Sequence, residues 1–173
     1  GVSSMHLDNP LSGFSFRENG PLDMRMGDQS GPTAAEIINL CSEATLADLI
    51  FFYGQERKAR KIANRIVKER KKKEINTTLE FAEIIRAIVP KNFKKDPATR
   101  TFQAIRIAVN NELRDLSKAL MFSEKIVRKG GTIAVITFHS LEDKIVKDFG
   151  KIMSGKASSI NRYSPPAFKT CLL

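Results

Sequence analysis

Cysteine, long apolar segments and a targeting sequence are what this chain lacks. Its two cysteines, Cys41 and Cys171, have no metal-ligand spacing, so a reducing compartment is the default. The longest apolar run, Ile133 to Phe138, is far too short to span a bilayer, and no stretch has the pattern of a targeting segment. We therefore expect a cytoplasmic protein with no membrane contact.

Acidic residues are scarce in the stretch where basic residues concentrate. Of 173 residues, 29 are Lys or Arg and 19 are Asp or Glu, a formal net charge of +10. Residues 57–73 hold ten Lys or Arg against one acid, Glu69. Such a run is typical of a contact with a polyanion, nucleic acid before membrane. A solvated helix face is the alternative interpretation, and it stays open at this point.

Apolar residues make up 42% of the chain, which is enough for a core, and the mean hydropathy of -0.24 is that of a soluble protein. The length leaves room for one domain of ordinary size, or for one domain plus an insert.

The first 26 residues have the composition of a loop but carry large apolar side chains. They are rich in Gly, Ser, Asn, Asp and Pro and show no helical or strand periodicity. The large apolar residues among them include Phe14, Phe16, Leu22, Met24 and Met26. A loop that folds over a ligand needs such anchors, because its backbone stays exposed to the ligand. We predict an ordered, ligand-facing loop over residues 1–32.

A helical segment is predicted after this loop. Thr33 with Glu36 and Thr77 with Glu80 have the spacing of a capping box, so a helix should begin at each threonine. Gly54 is predicted to stop a helix. One further helix carries a narrow apolar stripe opposite a cationic face; the stripe is Ala59, Ile62, Ala63, Ile66 and Val67.

The pattern changes after a second helical stretch. Asp96 and Pro97 are predicted to begin one long helix, or two with a bend near Asn110–Asn111. The apolar run Thr132–Phe138 then predicts a parallel strand that is covered on both faces, and Ser140 with Asp143 is predicted to cap the helix after it. One strand cannot make a sheet, so we expect its partners to lie upstream of this chain.

Several sequence blocks, in order, resemble one family closely. They are GVSS, LD, NP, GFSF, GPLDMRM, TAAE, PATRTFQA and FHSLED followed by IVK, and they extend from Gly1 to Lys147. Together they are similar to the bacterial small-subunit ribosomal RNA (cytosine-N4) methyltransferases of the MraW type. The resemblance implies an α/β fold: a Rossmann-like core, partial in this chain, that uses S-adenosyl-L-methionine (SAM) and carries an all-helical inserted subdomain.

The resemblance also implies a division of the chain and a reaction. Residues 1–32 would form the catalytic and cofactor loop, 33–110 the helical insert that binds RNA, and 111–173 the C-terminal part of the core. The methyl group would pass to the exocyclic N4 of a cytosine in the decoding region. Small-subunit ribosomal RNA or a 30S-type particle would be the partner, and a homodimer stays open.

The chain departs from the family pattern in ways that concern the cofactor. The glycine-rich cofactor loop and the acid that holds the ribose have no counterpart among these residues. The expected cofactor contacts are Gly1, His6, His139 and Ser140. His6 is expected by the resemblance, and the other three because ligands of open parallel sheets bind at the carboxyl ends of strands. His6 stands where the family has Gln, and Asp96 stands where it has His. We expect the chain to be the C-terminal portion of a larger protein and to be inactive alone.

The chemistry of the methyl transfer points to hydroxyl groups at a strand end. The cytosine amine is a poor nucleophile because its lone pair is delocalised, so the enzyme must accept hydrogen bonds from the amine and orient it toward the sulfonium. We assign this catalytic role to Ser3 and Ser4, with turn or cap chemistry as the alternative. A sulfonium needs no metal, and we expect none.

Aromatic and basic residues are the candidates for RNA contact. Phe14 and Phe16 are suited to stack on a base, unless they anchor the loop instead. Arg17 and Arg25 are suited to phosphates, unless Asp8 and Asp23 pair with them.

The remaining candidates lie on helices. Arg100 and Arg106 are either structural clamps or strand-binding residues. His139 and Ser140 have an alternative role as satisfied groups at a strand end. The broad RNA contact is expected to include Arg57, Lys58, Lys61, Arg65 and Lys68.

Two other functions compete with the methyltransferase. One is a non-enzymatic RNA-binding helical module, in which the basic helix is the whole function. The other is a helical protein-interaction domain, whose partner binding would be insensitive to salt.

Overall fold

The computed structural model describes residue 3 and residues 8–27, 30–90 and 96–155. These residues form seven α-helices and a short 3-10 helix at Pro10–Ser12. The chain divides into two compact units, one with the described residues up to Asn110 and one with those from Asn111 onward. No helix of the described ranges is both long and apolar enough to cross a lipid bilayer.

The first unit is built on five helices. They are α1 (Ala34–Leu40), α2 (Glu43–Gly54), α3 (Ala59–Arg70), α4 (Thr78–Arg86) and α5 (Thr99–Asn110). Helix α2 packs against both α3 and α5, and α1 and α4 complete the bundle. The apolar stripe of α3 faces this core as predicted, since Ala59, Ile62, Ala63 and Ile66 are buried and Val67 packs against the core.

Both predicted capping boxes are confirmed. The Thr33 hydroxyl accepts the backbone N–H of Glu36 at 3.1 Å, and the Glu36 carboxylate accepts the N–H of Thr33 at 2.7 Å. Thr77 and Glu80 make the same reciprocal pair at the start of α4. These bonds join residues three apart, so they satisfy the first amides of each helix whatever the rest of the fold does.

Gly54 has a different role from the predicted one. The left-handed residue at the end of α2 is Gln55 (φ 51°), and Gly54 is the last helical residue. Gly54 is buried where α2 meets α5, and a Cβ there would lie 2.6 Å from the carbonyl oxygen of Arg100. The glycine is therefore required by the close approach of two helices.

The stretch that was predicted to form either one long helix or two helices forms two. Helix α5 ends at Asn110, Asn111 adopts a left-handed conformation (φ 51°), and α6 (Glu112–Ile126) follows. The change of conformation at Asn111 is also where the two compact units divide.

The loop before the helices is pinned from both sides, which confirms the prediction of an anchored loop. Phe14, Leu22 and Met24 are buried in the helical core, and Phe16 and Met26 are half-buried against it. The Asn110 side chain donates to the carbonyl oxygen of Met24 at 2.7 Å and accepts the N–H of Met26 at 2.8 Å.

Helix α4 holds the same loop from its other side. The Thr78 hydroxyl donates to the carbonyl oxygen of Glu18 at 3.1 Å and accepts the N–H of Gly20 at 3.1 Å. Pro21 and Thr77 form the single β-bridge of the described residues. The described part of the loop therefore belongs to the same compact unit as α1–α5.

The second unit contains α6 and α7 (Ser140–Met153), which contact each other. A turn at Arg128–Gly131 precedes the segment that was predicted as a strand. Residues 132–138 form no ladder with any described residue, and Ile136 and Phe138 are 83% and 75% exposed. The predicted strand is not observed among the described residues, because a strand requires a neighbouring backbone to bond with. The Rossmann-like sheet is accordingly not observed in the described part of the chain.

Helix α7 begins one residue earlier than its predicted cap implies. The capping residue is His139, whose Nδ1 accepts the N–H of Glu142 at 3.3 Å, and Ser140 is the first helical residue. The Glu142 carboxylate completes the box by accepting the N–H of His139 at 3.3 Å.

Candidate nucleic-acid interface

A pocket of about 370 Å³ lies between the loop and helix α5 of the first unit. Four of the residues predicted to bind RNA line it together with Asp8 and Phe102; they are Phe14, Phe16, Arg17 and Arg106. We call it the loop pocket. Its volume is at the small end of the range for ligand-binding clefts, which suits a single nucleotide.

The two predicted stacking residues have different environments in this pocket. Phe14 is only 6% exposed and belongs to the core, so it anchors the loop and has no free face for a base; for Phe14 the stacking prediction is corrected. Phe16 is half-buried, with its ring edge-on to Phe102 at a centroid distance of 4.7 Å. The Arg86 guanidinium lies 5.5 Å from the centroid of the Phe16 ring. Phe16 is therefore the stacking candidate of the pair, and it is held in place by its neighbours.

The charge of the loop pocket is net positive. Arg17 is exposed and Arg106 is half-buried, and Asp8 is the acid among the lining residues. Two guanidinium groups beside an aromatic ring match a nucleotide, whose phosphate is anionic and whose base has two flat faces.

Arg25 pairs with an acid of the loop, which was the alternative to a phosphate contact. Its Nε and one terminal nitrogen each lie 2.8 Å from an oxygen of Asp23. This hydrogen bonding holds the pKa of Asp23 below its usual value and raises the pKa of Arg25. The Arg25 guanidinium is therefore assigned to holding the loop rather than to binding a phosphate.

The basic run of residues 57–73 separates into two groups. Some of its side chains are engaged within the protein. Lys58 Nζ donates to the carbonyl oxygen of Ile88 at 3.1 Å, Arg65 pairs with Glu69 at 2.8 Å, and Arg70 donates to two carbonyl oxygens at the end of α1. Partial burial lowers the pKa of Arg70. Lys58 and Arg65 were predicted to bind RNA, and these bonds give each a structural role.

The other group carries charge that no acid of the described residues neutralises. Arg57, Arg60, Lys61 and Lys68 are exposed and form no ion pair within the described ranges. Arg57, Arg60 and Lys61 line a shallow groove of about 680 Å³ between α2 and α3, which we call the basic groove. The groove therefore holds three of these four cations.

The sequence interpretation overlooked two aromatic residues of this groove. Phe51 and Phe52 are 52% and 42% exposed, and their rings meet edge-to-face with centroids 5.2 Å apart. They do not follow the apolar spacing of α2, whose buried face is Leu46, Leu49 and Ile50. Large apolar residues outside the buried stripe of an amphipathic helix were the signal that would have found them.

Arg100 also has a partner within the protein. Its terminal nitrogen lies 3.9 Å from the buried carboxylate of Glu56 and donates to the carbonyl oxygen of Gln55 at 3.3 Å. The Arg100 side chain nevertheless remains 60% exposed, because it reaches over the end of α2 from the surface.

None of the described catalytic and cofactor candidates lines the loop pocket or the basic groove. Ser3 is described and exposed, whereas Gly1, Ser4 and His6 lie outside the described residues. His139 and Ser140 begin α7 in the second unit.

Glu112, His139 and Glu142 form the one set of possible metal ligands found among the described residues. His139 Nδ1 accepts the N–H of Glu142, and a carboxylate oxygen of Glu142 accepts the N–H of Phe138 at 2.8 Å. Because Nδ1 accepts a hydrogen bond, the proton of a neutral ring resides on Nε2, which then has no lone pair for a metal. The cluster is explained by the helix cap.

Comparison with known proteins gives a consistent result. The model of the MraW methylase family matches residues 1–166. A protein named ribosomal RNA small subunit methyltransferase H from Methylobacterium nodulans is 53% identical over 171 residues, which is 98% of this chain and 50% of that protein. Proteins of the same name from Paramagnetospirillum magneticum and Rhodospirillum rubrum are 50% and 49% identical over 96% of this chain, and 52% and 51% of their own lengths are covered. The chain thus spans about half the length of these relatives.

Proposed function

Since the chain belongs to the MraW methylase family, we propose that it is part of a SAM-dependent methyltransferase that acts on small-subunit ribosomal RNA. The methyl group passes to the exocyclic N4 of a cytosine in the decoding region. The names of the relatives support a small-subunit ribosomal RNA substrate. The base and its position rest on the motifs quoted above.

The observation that carries an RNA-directed function is the composition of the loop pocket. Phe16, Arg17 and Arg106 come from segments about ninety residues apart in sequence and line one cleft of nucleotide size. A stacking ring with two guanidinium groups is a combination that suits RNA and offers little to an apolar metabolite.

The chain divides in this proposal as the sequence implies. Residues 1–32 are the loop at the catalytic centre, 33–110 are the helical insert that binds RNA, and 111–173 are part of a Rossmann-like core. The segment between Thr132 and Phe138 supports the assignment of 111–173 to the core. It has the composition of a buried strand, yet its apolar residues are exposed among the described residues.

SAM is the proposed cofactor, and it supplies the methyl group when it is bound. Of the four expected contacts, only His139 and Ser140 are among the described residues. His139 Nδ1 is engaged by the N–H of Glu142, and Ser140 lies in the first turn of α7. Most of the cofactor contacts are therefore assigned to parts of the protein outside the described residues, and Gly1 and His6 remain candidates.

Ser3 and Ser4 remain the proposed groups that act on the cytosine amine. Hydroxyl oxygens that accept hydrogen bonds from the NH2 group hold the amine in one orientation. The entropic cost of orienting the amine is then met when the RNA binds, and the barrier to methyl transfer is lower. Phe16 and the two arginines of the loop pocket are proposed to hold neighbouring nucleotides of the RNA. No metal is needed for this chemistry.

The test uses the protein extended at its N-terminus to the length of its relatives. The protein is incubated with methyl-labelled SAM and unmodified small ribosomal subunits, and the RNA is then digested to nucleosides. We expect the label in N4-methylcytidine. A Ser3→Ala/Ser4→Ala variant should lose label by at least about tenfold while it binds RNA normally. Label in another nucleoside would overturn the assigned base.

An RNA-binding module without catalysis is the second candidate, and the basic groove is the observation that favours it. In that case the extended protein binds RNA in a salt-sensitive way but transfers no label. The same incubation, with RNA binding measured in parallel, distinguishes the two functions.

A further inference from the structure

The basic groove contains two features that the proposed methyl transfer does not use. One is the exposed Phe51–Phe52 pair, and the other is the charge of Arg57, Arg60 and Lys61. All five side chains line one cleft of about 680 Å³. The loop pocket has other lining residues, so this cleft is a separate surface.

An exposed pair of phenylalanines needs an explanation. Burial of a large apolar side chain is favourable, so a ring left half in water forgoes much of that gain. Other large apolar residues of α2, such as Leu46 and Ile50, are completely buried. The two rings are nearly perpendicular (81°), which directs their faces in different directions within the groove.

The surrounding charge identifies the partner. Four cations and one acid, Asp48, line the groove; the cations are Arg57, Lys58, Arg60 and Lys61. Lys58 donates to the carbonyl oxygen of Ile88, whereas the other three form no ion pair within the described residues, in contrast to Arg65, which Glu69 neutralises. An apolar protein partner would match the rings but would leave these charges uncompensated, whereas a phosphodiester chain matches both.

We propose that the basic groove binds an unpaired segment of the substrate RNA. A base stacks on Phe51 or Phe52, and Arg57, Arg60 and Lys61 contact the phosphates on either side of it. The proposal rests on the proposed function only in taking RNA as the partner. It adds a second contact, distinct from the loop pocket, and it requires that the base be unpaired, because stacking on a side chain needs an open face.

The first experiment measures stacking directly with the full chain. The probe is an RNA hairpin with 2-aminopurine in its unpaired loop, and a fully paired duplex of equal length serves for comparison. Stacking quenches 2-aminopurine, so we expect quenching when the hairpin binds. A Phe51→Ala/Phe52→Ala variant should lose the quenching and bind the hairpin about tenfold or more weakly, with unchanged duplex affinity.

Matched variants separate ring chemistry from general surface effects. Phe51→Tyr/Phe52→Tyr keeps both rings and should retain quenching. Phe122→Ala removes another exposed ring, 58% accessible and also beside a lysine, and should leave hairpin binding unchanged. Because the substituted positions are on the surface, circular dichroism should show the same unfolding midpoint for all variants.

A second measurement tests the phosphate contacts. The variant Arg57→Gln/Arg60→Gln/Lys61→Gln should lower the slope of log affinity against log salt concentration by about 2, which is the value for three phosphate contacts on a single strand. Lys147→Gln is the control, since Lys147 lies outside the groove and its Nζ pairs with Asp143 at 2.7 Å, and it should change the slope by less than about 1.

Three outcomes would overturn the proposal. The first is unchanged quenching and affinity in Phe51→Ala/Phe52→Ala. The second is a salt slope that the triple substitution does not alter. The third is a change in sedimentation of the alanine variant with RNA binding intact, which would identify the rings as a protein contact. Quenching by this chain, together with no methyl transfer by the N-terminally extended protein, would support this groove while the proposed function fails, so the two failures are distinguishable.

Discussion

Single residues decide how the loop of the first unit is held. The Asn110 side chain bonds the backbone on both sides of Arg25, and the Asp23 carboxylate bonds the Arg25 side chain in a bidentate manner. These contacts fix the direction of the backbone at the loop pocket without occupying the pocket themselves. Phe16 and Arg17 can therefore be presented to a ligand from a backbone that does not have to reorganise.

The Asp23–Arg25 pair predicts a pH dependence. The Arg25 hydrogen bond lowers the pKa of Asp23, so the pair stabilises the fold above the unfolded-state pKa of about 4. This stabilisation is lost as the pH falls through the lower folded-state pKa. We expect Asp23→Asn to cost up to about 1 kcal/mol at pH 7, and the difference from wild type to shrink below about pH 4.

Urea unfolding at several pH values measures this difference. Asp48→Asn is the matched control, because Asp48 is exposed and makes no ion pair within the described residues; it should not show the same trend. A difference for Asp23→Asn that stays constant from pH 7 to pH 3 would contradict the assignment.

At the scale of elements, the packing of α2 on α5 organises the first unit. Helix α2 ends against α5 at Gly54, where the missing side chain lets the two backbones approach closely. The same end of α2 carries Gln55 and Glu56, which Arg100 of α5 contacts from the surface. The Phe pair lies on this helix as well, so the α2–α5 contact also determines how the basic groove is presented.

Gly54→Ala should therefore destabilise the protein. The added Cβ would lie 2.6 Å from the Arg100 carbonyl oxygen and 3.2 Å from the Ala104 Cβ, so the helices must separate. We expect a loss of about 1–3 kcal/mol in the free energy of unfolding, as in other overpacked cores. Chemical denaturation followed by circular dichroism measures it.

Gly150→Ala is the control for helix propensity. Gly150 lies within α7, and a Cβ there would meet no atom within 4 Å. This substitution should stabilise by about 0.5–1 kcal/mol because alanine is the better helix former. Equal stabilisation by both substitutions would show that the α2–α5 contact has room for a methyl group.

At the scale of the whole molecule, the chain accounts for about half of the length of its relatives. The first unit has a buried core of its own, with residues such as Phe81, Ile62 and Ile105 completely inaccessible. In the second unit the apolar residues of 132–138 are largely exposed, and α7 has no buried residue. The two units therefore differ in how completely their apolar surface is covered by described residues.

This difference predicts the behaviour of the chain toward SAM. The 173-residue chain alone should bind SAM weakly or not at all, because the glycine-rich cofactor loop and the ribose-holding acid of the family have no counterpart among these residues. Isothermal titration calorimetry measures this, and the N-terminally extended protein serves as the positive comparison. A low-micromolar dissociation constant for the chain alone would contradict the prediction and would place the cofactor site within these residues.

Local features of the fold followed from the sequence. The capping boxes at Thr33 and Thr77, the apolar stripe of α3 and the anchored loop were all predicted correctly. Each depends on residues a few positions apart or on simple partitioning of apolar side chains from water. The family was also evident from the sequence, since its motifs are short strings of neighbouring residues. Membership of the MraW methylase family is confirmed over residues 1–166.

Only the tertiary structure decided which candidate residues remain available to a partner. The sequence treated Phe14 and Phe16 alike. Both line the loop pocket, but long-range packing buries Phe14 and leaves Phe16 half-buried. It treated the basic run as uniform, whereas bonds such as that of Lys58 to Ile88 removed some cations from the surface. Burial and ion pairing join residues far apart in the chain, so no local pattern determines them. The run Thr132–Phe138 shows the same limit, because its strand character depends on partners that the sequence of the run does not contain.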